Sequence, residues 1–218
     1  MERYKLLKDL YSHKFFGFEY YDDIKPTFKQ KTSENSLTSL LTLESTVKQC
    51  HICHLASSRK NIVFGEGNEN ADIIFIGEAP GALEDESGHP FVGRSGDMLT
   101  KIITNVLEIP RNEVYITNIL KCRPHNNAAP TFEEASSCKD YLFTQIELIK
   151  PKIIVTLGAT AYKYLTNDMD VSVSKIRGSI IEFGSIKLIP TYHPSYLLRN
   201  PSAKKDLLED IKKVKALL

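Results

Sequence analysis

The chain has 218 residues, of which 28 are basic and 27 acidic, so its formal net charge is only +1. This balance provides no overall electrostatic attraction to nucleic acid, and any DNA binding must come from a local basic surface. The sequence has no apolar run of the ~18 residues that cross a bilayer and no secretory signal pattern. We therefore expect neither a membrane span nor export, and place the protein in the cytoplasm of a prokaryote.

The N-terminal segment differs in composition from the rest of the chain. Residues 1–24 contain seven aromatic side chains, and residues 25–36 are polar, which is typical of a linker. This predicts an extension of residues 1–36 before a main domain of residues 37–218. Because so short a segment cannot form its own core, we expect its aromatic side chains to pack on the main domain. The alternative is that they anchor another protein.

The elements predicted beyond the extension begin with a helix over residues 37–50, with Ser36 as its N-cap. From residue 72 onward, apolar runs typical of buried strands alternate with helical periodicity. The predicted strands span residues 72–78, 113–120, 152–158 and 188–193. The predicted helices span residues 96–107, 132–149, 159–165 and 203–218, and residues 176–188 are hairpin-like. This alternation indicates a three-layer α/β/α fold around a central, mainly parallel four-stranded sheet.

Motifs rich in glycine, proline and polar residues follow three of the predicted strands. They are GEAPGALEDESGHPFVGRSG (77–96), NILKCRP (118–124) and HPSYLLRNP (193–201). Ligands of parallel sheets bind beyond the carboxyl ends of the strands. The sequence therefore predicts a functional site made by these three segments together with the loop after residue 157.

The four cysteines form a second pattern. Cys50 and Cys53 have CxxC spacing, and Cys122 and Cys138 lie far along the chain. A chain without an export signal is expected in a reducing compartment, where such cysteines are more often metal ligands than disulfides. Zinc and iron–sulfur clusters both use four thiolates, so the spacing alone leaves the metal open. Two unrelated pairs of free thiols are the remaining alternative.

The three motifs and the four cysteines, in this order, resemble the family 4 uracil-DNA glycosylases, the thermostable-type enzymes with an iron–sulfur cluster. The resemblance extends from about residue 43 to the C-terminus. It implies a uracil-DNA glycosylase-like fold and the hydrolysis of the N-glycosidic bond of deoxyuridine in DNA, a step of base excision repair that leaves an abasic site. It also implies a [4Fe–4S] cluster held by Cys50, Cys53, Cys122 and Cys138.

The resemblance implies roles in catalysis for Asn118 and His193. For the water-activating group the candidates are Glu78 and Glu84, and Glu78 is the one we place in the catalytic group. Asn118 either satisfies a turn at a strand end or reads a flipped base. Its carbonyl would accept uracil N3–H and its amino group would donate to O4, whereas cytosine reverses both partners. His193, otherwise a satisfied strand-end histidine, would donate to uracil O2 and stabilise the negative charge on the leaving base.

The remaining pocket residues are expected on the loops around this group. Phe91 is either a core aromatic or the ring that stacks on the extruded base. In the GEAPG loop, Ala79 and Gly81 stand where the family 1 enzymes have a water-activating Asp and a thymine-excluding Tyr. We therefore assign Glu78 to water or cation stabilisation and Glu84 to the wall near uracil C5. Asn127 is a further pocket candidate.

The expected DNA contacts come from the last motif. Ser195 and Arg199 would contact phosphates, and Leu197 would be the wedge that fills the gap left by the flipped base. The substrate would be uracil-containing DNA, single- or double-stranded, bound by a monomer, and the extension would offer a site for a repair or replication partner. Because no lysine is evidently placed to form a Schiff base, we expect a monofunctional enzyme.

Two other functions remain open from the residues alone. One is a non-catalytic DNA-binding module that keeps the fold. The other is a nucleotide-handling or electron-transfer protein that uses the cluster for redox chemistry. Release of free uracil would distinguish the glycosylase from both.

Overall fold

The computed structural model describes residues 39–218, so the predicted extension of residues 1–36 and its boundary lie outside the described residues. Six strands form one sheet in the order β1-β3-β2-β4-β6-β5. They are β1 (Glu66–Gly67), β2 (Ile73–Gly77), β3 (Tyr115–Asn118), β4 (Ile153–Leu157), β5 (Ile181–Phe183) and β6 (Ile186–Thr191).

The four long strands form the centre of the sheet. Neighbouring pairs among β3, β2, β4 and β6 are parallel, and they are the four strands predicted from apolar runs. The sheet has six strands rather than four because β1 and β5 add antiparallel edges. These edges are only two and three residues long, which is too short for a distinct hydrophobic pattern. The expected three-layer α/β/α class is confirmed.

Helices cover both faces of this sheet. They are α1 (Leu40–Lys48), α2 (Ala82–Ser87), α3 (Gly93–Ile102), α4 (Phe132–Ile149), α5 (Ala159–Thr166), α6 (Val173–Ile176), α7 (Pro194–Arg199) and α8 (Lys204–Lys215). Short 3₁₀ turns occur at His54–Ser57, Arg111–Glu113, His125–Asn127 and Pro201–Ala203, and a π turn at Ile103–Leu107 continues α3. None of the helices within residues 39–218 is long and apolar enough to span a bilayer.

The helix ends follow local hydrogen bonding. The helix α4 has the bounds predicted from its periodicity, and its first turn is closed by a capping box between Thr131 and Glu134. The helix α1 begins at Leu40, later than predicted, and Ser39 is its N-cap, since its side chain accepts the backbone N–H of Thr42. The helices α2 and α7 lie within motifs that were expected to be loops.

Alternation along β2 explains why its sequence is apolar throughout. Ile74 and Ile76 pack on one side with side chains of α1 and α4, whereas Ile73 and Phe75 pack on the other side with side chains of α3 and α8. Successive strand residues point to opposite faces, so a strand with helices on both sides buries every side chain. This packing leaves the strand ends as the place for polar groups.

Candidate active site

A cavity of about 790 Å³ lies beyond the carboxyl ends of the four central strands. Its walls include residues at the carboxyl end of each strand, Glu78 after β2, Asn118 on β3, Gly158 after β4 and His193 after β6. The structure thus brings together nine of the ten residues predicted to bind substrate, catalyse the reaction or contact DNA. They are Glu78, Ala79, Glu84, Phe91, Asn118, Asn127, His193, Ser195 and Arg199.

Asn118 provides the most unusual polar group of the cavity. The residue is only 2% exposed, and its Oδ1 is a buried atom without a hydrogen-bond partner within residues 39–218. A buried acceptor left unpaired costs about 1–3 kcal/mol. An Asn that only satisfied a turn would have used this oxygen locally. This oxygen is therefore not used by a turn, and the Asn118 side chain lines the cavity.

Phe91 lies beside Asn118 in a strained backbone conformation. Its φ is 52°, in the left-handed region that a bulky residue rarely adopts. The Arg111 guanidinium holds the preceding carbonyl, since Nη2 donates to Pro90 O at 2.8 Å and Nη1 donates to Thr100 Oγ1 at 2.9 Å. The ring is 7% exposed and lines the cavity. Strain of this kind persists only where the surroundings enforce it.

His193 caps helix α7 and contacts Phe91, with ring centroids 5.6 Å apart. The backbone N–H of Ser195 donates to His193 Nδ1 at 3.1 Å, and Ser195 Oγ lies 2.8 Å from the same nitrogen. Because Nδ1 accepts, the neutral ring carries its proton on Nε2. Burial, and then the positive charge of Arg199, lower the pKa of His193 to about 4. The ring is therefore a neutral donor at physiological pH.

A buried contact anchors the strand before His193. Thr191 Oγ1 donates to Asp210 Oδ2 at 2.7 Å, and Asp210 accepts a further bond from Arg177 Nη2 at 2.8 Å. Asp210 belongs to α8 and is 1% exposed. Burial raises the pKa of its carboxyl group, and the bonds from Thr191 and Arg177 oppose that rise. The C-terminal helix thus fixes the end of β6 from which His193 projects.

The two acidic residues of the GEAPG loop have different surroundings. Glu84 Oε2 accepts the backbone N–H of Gly81 at 3.1 Å and so closes the first turn of α2. Glu78 is half-buried, lines the cavity, and its backbone carbonyl accepts the N–H of Leu120 at 3.1 Å. Glu84 is thus engaged in holding the loop, whereas the Glu78 carboxylate forms no side-chain hydrogen bond within residues 39–218.

The predicted wedge is wrong. Leu197 is 1% exposed and packs in the core between α7 and the sheet, so its side chain is not presented to a DNA duplex. The neighbouring Tyr196 is 38% exposed and lines the cavity. Its ring centroid lies 4.9 Å from that of Tyr192, which also lines the cavity. These two tyrosines form an aromatic lip of the cavity. No role was predicted for either, although both lie within or beside the HPSYLLRNP motif.

Other cavity residues had no sequence assignment. Gly158 stands out because its φ of +92° favours glycine and a Cβ there would lie 3.3 Å from His193 Cβ. Its place at the end of the third predicted strand, where the loop after residue 157 was expected at the site, was the available signal. Further lining residues without a prediction are Pro80, Ser95, Pro124, Ala128, Ala159, Val173 and Ser174.

The four cysteines converge from three parts of the chain. All are free thiols and line one small cavity, together with Arg59 and Lys121. Arg59 Nη1 donates to Cys122 Sγ at 3.4 Å, and burial raises the pKa of Cys122 to about 11 while Arg59 opposes that rise. Within residues 39–218, no three His, Cys, Asp or Glu side chains are arranged to hold a single metal ion.

These observations test whether a thiolate-bound centre fits. The donor set is four thiols around one cavity, and a guanidinium donates toward one of the sulfurs. A single zinc ion needs its sulfurs about 2.3 Å from one point, whereas a cluster separates them more widely. Four thiols around one small cavity are a donor set that thiolate-bound metal centres use.

Comparison with known proteins gives the family. A sequence model of the uracil DNA glycosylase superfamily matches residues 64–214, more than half of the chain. The chain belongs to the uracil-DNA glycosylase superfamily.

A type-4 uracil-DNA glycosylase of Thermotoga maritima is 49% identical over 175 residues, which cover 79% of this chain and 91% of that protein. The type-4 enzyme of Saccharolobus solfataricus is 46% identical, with 79% and 83% covered. That of Archaeoglobus fulgidus is 40% identical, with 82% and 92% covered.

The expected family is thereby confirmed. The superfamily match includes the three strand-end motifs, Cys122 and Cys138, and it begins after Cys50 and Cys53. The glycosylase fold therefore accounts for the cavity.

Proposed function

We propose that this protein is a monofunctional uracil-DNA glycosylase of base excision repair. It hydrolyses the N-glycosidic bond of deoxyuridine in DNA, releases uracil and leaves an abasic site. The observation that carries the proposal is the buried, unpaired Asn118 Oδ1 in a cavity shared with Phe91 and His193. The type-4 glycosylases among its relatives support it.

Asn118 selects the base. Its Oδ1 accepts N3–H of uracil and its amino group donates to O4. Cytosine presents an acceptor at N3 and a donor at the exocyclic amine, so both buried contacts would be mismatched. Phe91 stacks on the extruded base. Because every base has an aromatic face, this contact contributes binding rather than selectivity. Ala79, Glu84 and Asn127 complete the walls.

His193 stabilises the leaving group. When the bond between C1′ and N1 breaks, its electron pair stays with uracil and negative charge develops at O2. A neutral imidazole with its proton on Nε2 donates to that oxygen. The Ser195 backbone N–H at Nδ1 fixes this tautomer. Loss of one such donor typically costs about 10²–10³ in rate.

Glu78 acts on the sugar and the water. Its carboxylate stabilises the positive charge that develops at C1′ and accepts a hydrogen bond from the attacking water. The water oxygen forms the new bond to C1′ and keeps one proton as the hydroxyl group of the abasic sugar. The proton that the water gives up balances the one that the departing uracil anion takes up. Ser195 and Arg199 contact phosphates at the rim, and the substrate is single- or double-stranded DNA.

Cys50, Cys53, Cys122 and Cys138 would hold a [4Fe–4S] cluster, which contributes structure rather than chemistry to this reaction. The thiols would lose their protons on binding it. The cluster would join the segment after α1 to the end of β3 and to α4, and so brace the loop that follows Asn118.

A release assay tests the proposed function. Oligonucleotides with one uracil, and matched ones with cytosine or thymine, are incubated with the protein, and free base and alkali-labile sites are measured. Wild type should release uracil only, and Asn118→Ala should lower the rate at least about 100-fold. Asn105→Ala, an exposed Asn on the π turn, is the control and should retain the rate. No release by wild type would overturn the proposal.

Metal analysis tests the cofactor. Protein purified without oxygen should be brown and contain about four irons per chain. Cys→Ser at any of the four positions should reduce folded yield, because a structural metal site is part of folding. One zinc and no iron would overturn this assignment without affecting the proposed activity.

A further inference from the structure

Lys121 is a completely buried lysine directly behind the base-reading residue. Its side chain is 1% exposed and ends among three oxygen acceptors. Nζ donates to Thr117 Oγ1 at 2.6 Å, to Gln145 Oε1 at 2.7 Å and to the backbone carbonyl of Asn118 at 2.9 Å. All three hydrogen-bond partners of Nζ are uncharged, and Cys138 and Cys122 act on it electrostatically as well. Because burial of a charge is costly, such an arrangement requires well-placed partners.

The partners of Lys121 are themselves fixed. Gln145 Nε2 donates to Phe64 O at 3.0 Å and to Tyr115 Oη at 3.1 Å, which leaves its carbonyl oxygen for the lysine. Thr117 Oγ1 donates to Phe64 O at 3.0 Å. The orientations of the Thr117 and Gln145 side chains are therefore fixed by other hydrogen bonds. Nζ lies within hydrogen-bond distance of both side-chain oxygens and of the Asn118 carbonyl.

Backbone hydrogen bonds also join residues 119–120, which lie between Asn118 and Lys121, to the GEAPG loop. Ile119 N donates to Gly77 O at 3.0 Å and Leu120 N donates to Glu78 O at 3.1 Å. Thr117 and Asn118 are successive strand residues, so their side chains point to opposite faces. Thr117 meets the lysine on one face, and Asn118 enters the cavity on the other. The backbone carbonyl of Asn118 thus accepts from the buried Lys121, while the side chain of the same residue lines the cavity.

We infer that Lys121 is a positioning residue that fixes the peptide after Asn118 and thereby the direction of the Asn118 amide in the uracil pocket. The Asn118 side-chain oxygen has no partner of its own within residues 39–218, so its direction depends on the backbone that carries it. Without the ammonium, the carbonyl oxygen of Asn118, the hydroxyl oxygen of Thr117 and the amide oxygen of Gln145 lose a common donor. The peptide after Asn118 keeps the bond from Ile119 N to Gly77 O but loses the contact that fixes its carbonyl end. This inference rests on the proposed function.

A double-mutant cycle with Asn118 tests the inference. Single-turnover uracil release from a single-stranded oligonucleotide is measured for wild type, Lys121→Met, Asn118→Ala and the double variant. Iron content and melting temperature are measured in parallel, because Cys122 is the next residue. Lys152→Met, at an exposed lysine paired with Asp72, is the matched control and should behave as wild type.

If Lys121 acts through Asn118, Lys121→Met lowers kcat/KM about tenfold or more in the wild-type background and less than about twofold in the Asn118→Ala background. The affinity for free uracil should fall in parallel, while iron per chain stays unchanged. An equal fold-loss in both backgrounds, or no loss, would overturn the inference. Wild type that releases no uracil would overturn the proposed function, and this inference with it.

A second variant covers the case in which Lys121→Met does not fold or loses iron. Gln145→Met removes one acceptor of the ammonium from α4, about two helical turns from Cys138, and leaves Lys121 in place. The same coupling with Asn118 is expected, with a smaller amplitude. Additive effects of Gln145→Met and Asn118→Ala would overturn the inference.

Discussion

Gly77 and Asn118 lie side by side at the ends of neighbouring parallel strands, and there is no room for a side chain between them. A Cβ on Gly77 would collide with Asn118 Oδ1 and would lie 2.5 Å from Phe91 Cζ. The absence of a side chain at this position therefore lets the base-reading amide and the stacking ring share one wall of the cavity.

We predict that Gly77→Ala nearly abolishes uracil release. The added methyl group must displace Asn118 or Phe91, so kcat/KM should fall at least about 100-fold while the free energy of unfolding falls by about 1–3 kcal/mol. Gly184→Ala is the control, since its φ of +62° makes alanine strained although no atom lies within 4 Å. Gly184→Ala should lose stability and keep activity. An active Gly77→Ala would contradict the crowding argument.

Replacement of Asn118 by Asp should change base selectivity. The carboxylate can accept a hydrogen bond from the exocyclic amine of cytosine, whereas it repels uracil O4. The ratio of uracil to cytosine release should therefore fall, together with a large drop in uracil release itself. Matched oligonucleotides with either base measure both rates. A variant with wild-type uracil release would remove Asn118 from base recognition.

The pH profile should reflect a neutral His193. Its pKa of about 4 lies below the value of 6.5 for an unperturbed histidine. The folded state therefore disfavours protonation, and the associated stability, complete above pH 6.5, is lost as pH falls toward 4. Uracil release should accordingly stay flat from pH 8 to about 5 with respect to this residue. The same pH profile measured with His193→Gln identifies any fall in rate that other groups cause. A fall centred near pH 6.5 that occurs in wild type but not in His193→Gln would contradict a neutral His193.

Tyr196 and Leu197 should respond differently to the strandedness of the substrate. Tyr196→Ala removes an exposed ring at the cavity lip and should reduce release from duplex DNA about tenfold more than release from single strands. Leu197→Ala removes a core side chain, so it should lower the free energy of unfolding by about 2–4 kcal/mol and change both rates equally. A strand-dependent effect of Leu197→Ala alone would restore the original wedge assignment.

Deletion of residues 1–31 tests the predicted division of the chain. If the aromatic side chains pack on the main domain, the truncated protein should melt several degrees lower and still release uracil from short oligonucleotides. An unchanged melting temperature with full activity would instead favour a site for a repair or replication partner. A folded but inactive truncation would contradict a catalytic domain that begins near residue 37.

The sequence by itself determined the order of the long strands and helices and the location of the site. Continuous apolar runs can be buried only between two helical layers, and parallel strands place the motifs after residues 77, 118 and 193 at one edge. The family resemblance rests on the same motifs, and nine of its ten non-metal residues line the cavity. The edge strand β1 was missed because two residues carry no period, whereas β5 lies within the hairpin-like stretch predicted for residues 176–188.

Only the tertiary structure decided which side of each motif faces the cavity. Residues 194–199 form a helix, in which successive side chains differ in direction by about 100°, and the packing of that helix buries Leu197 and exposes Tyr196. The charge of Lys121 predicts a surface position, yet the acceptors that bury it come from Thr117 and from Gln145, which is 24 residues away in sequence. Contacts between distant segments are set by how elements pack, and no local pattern encodes them.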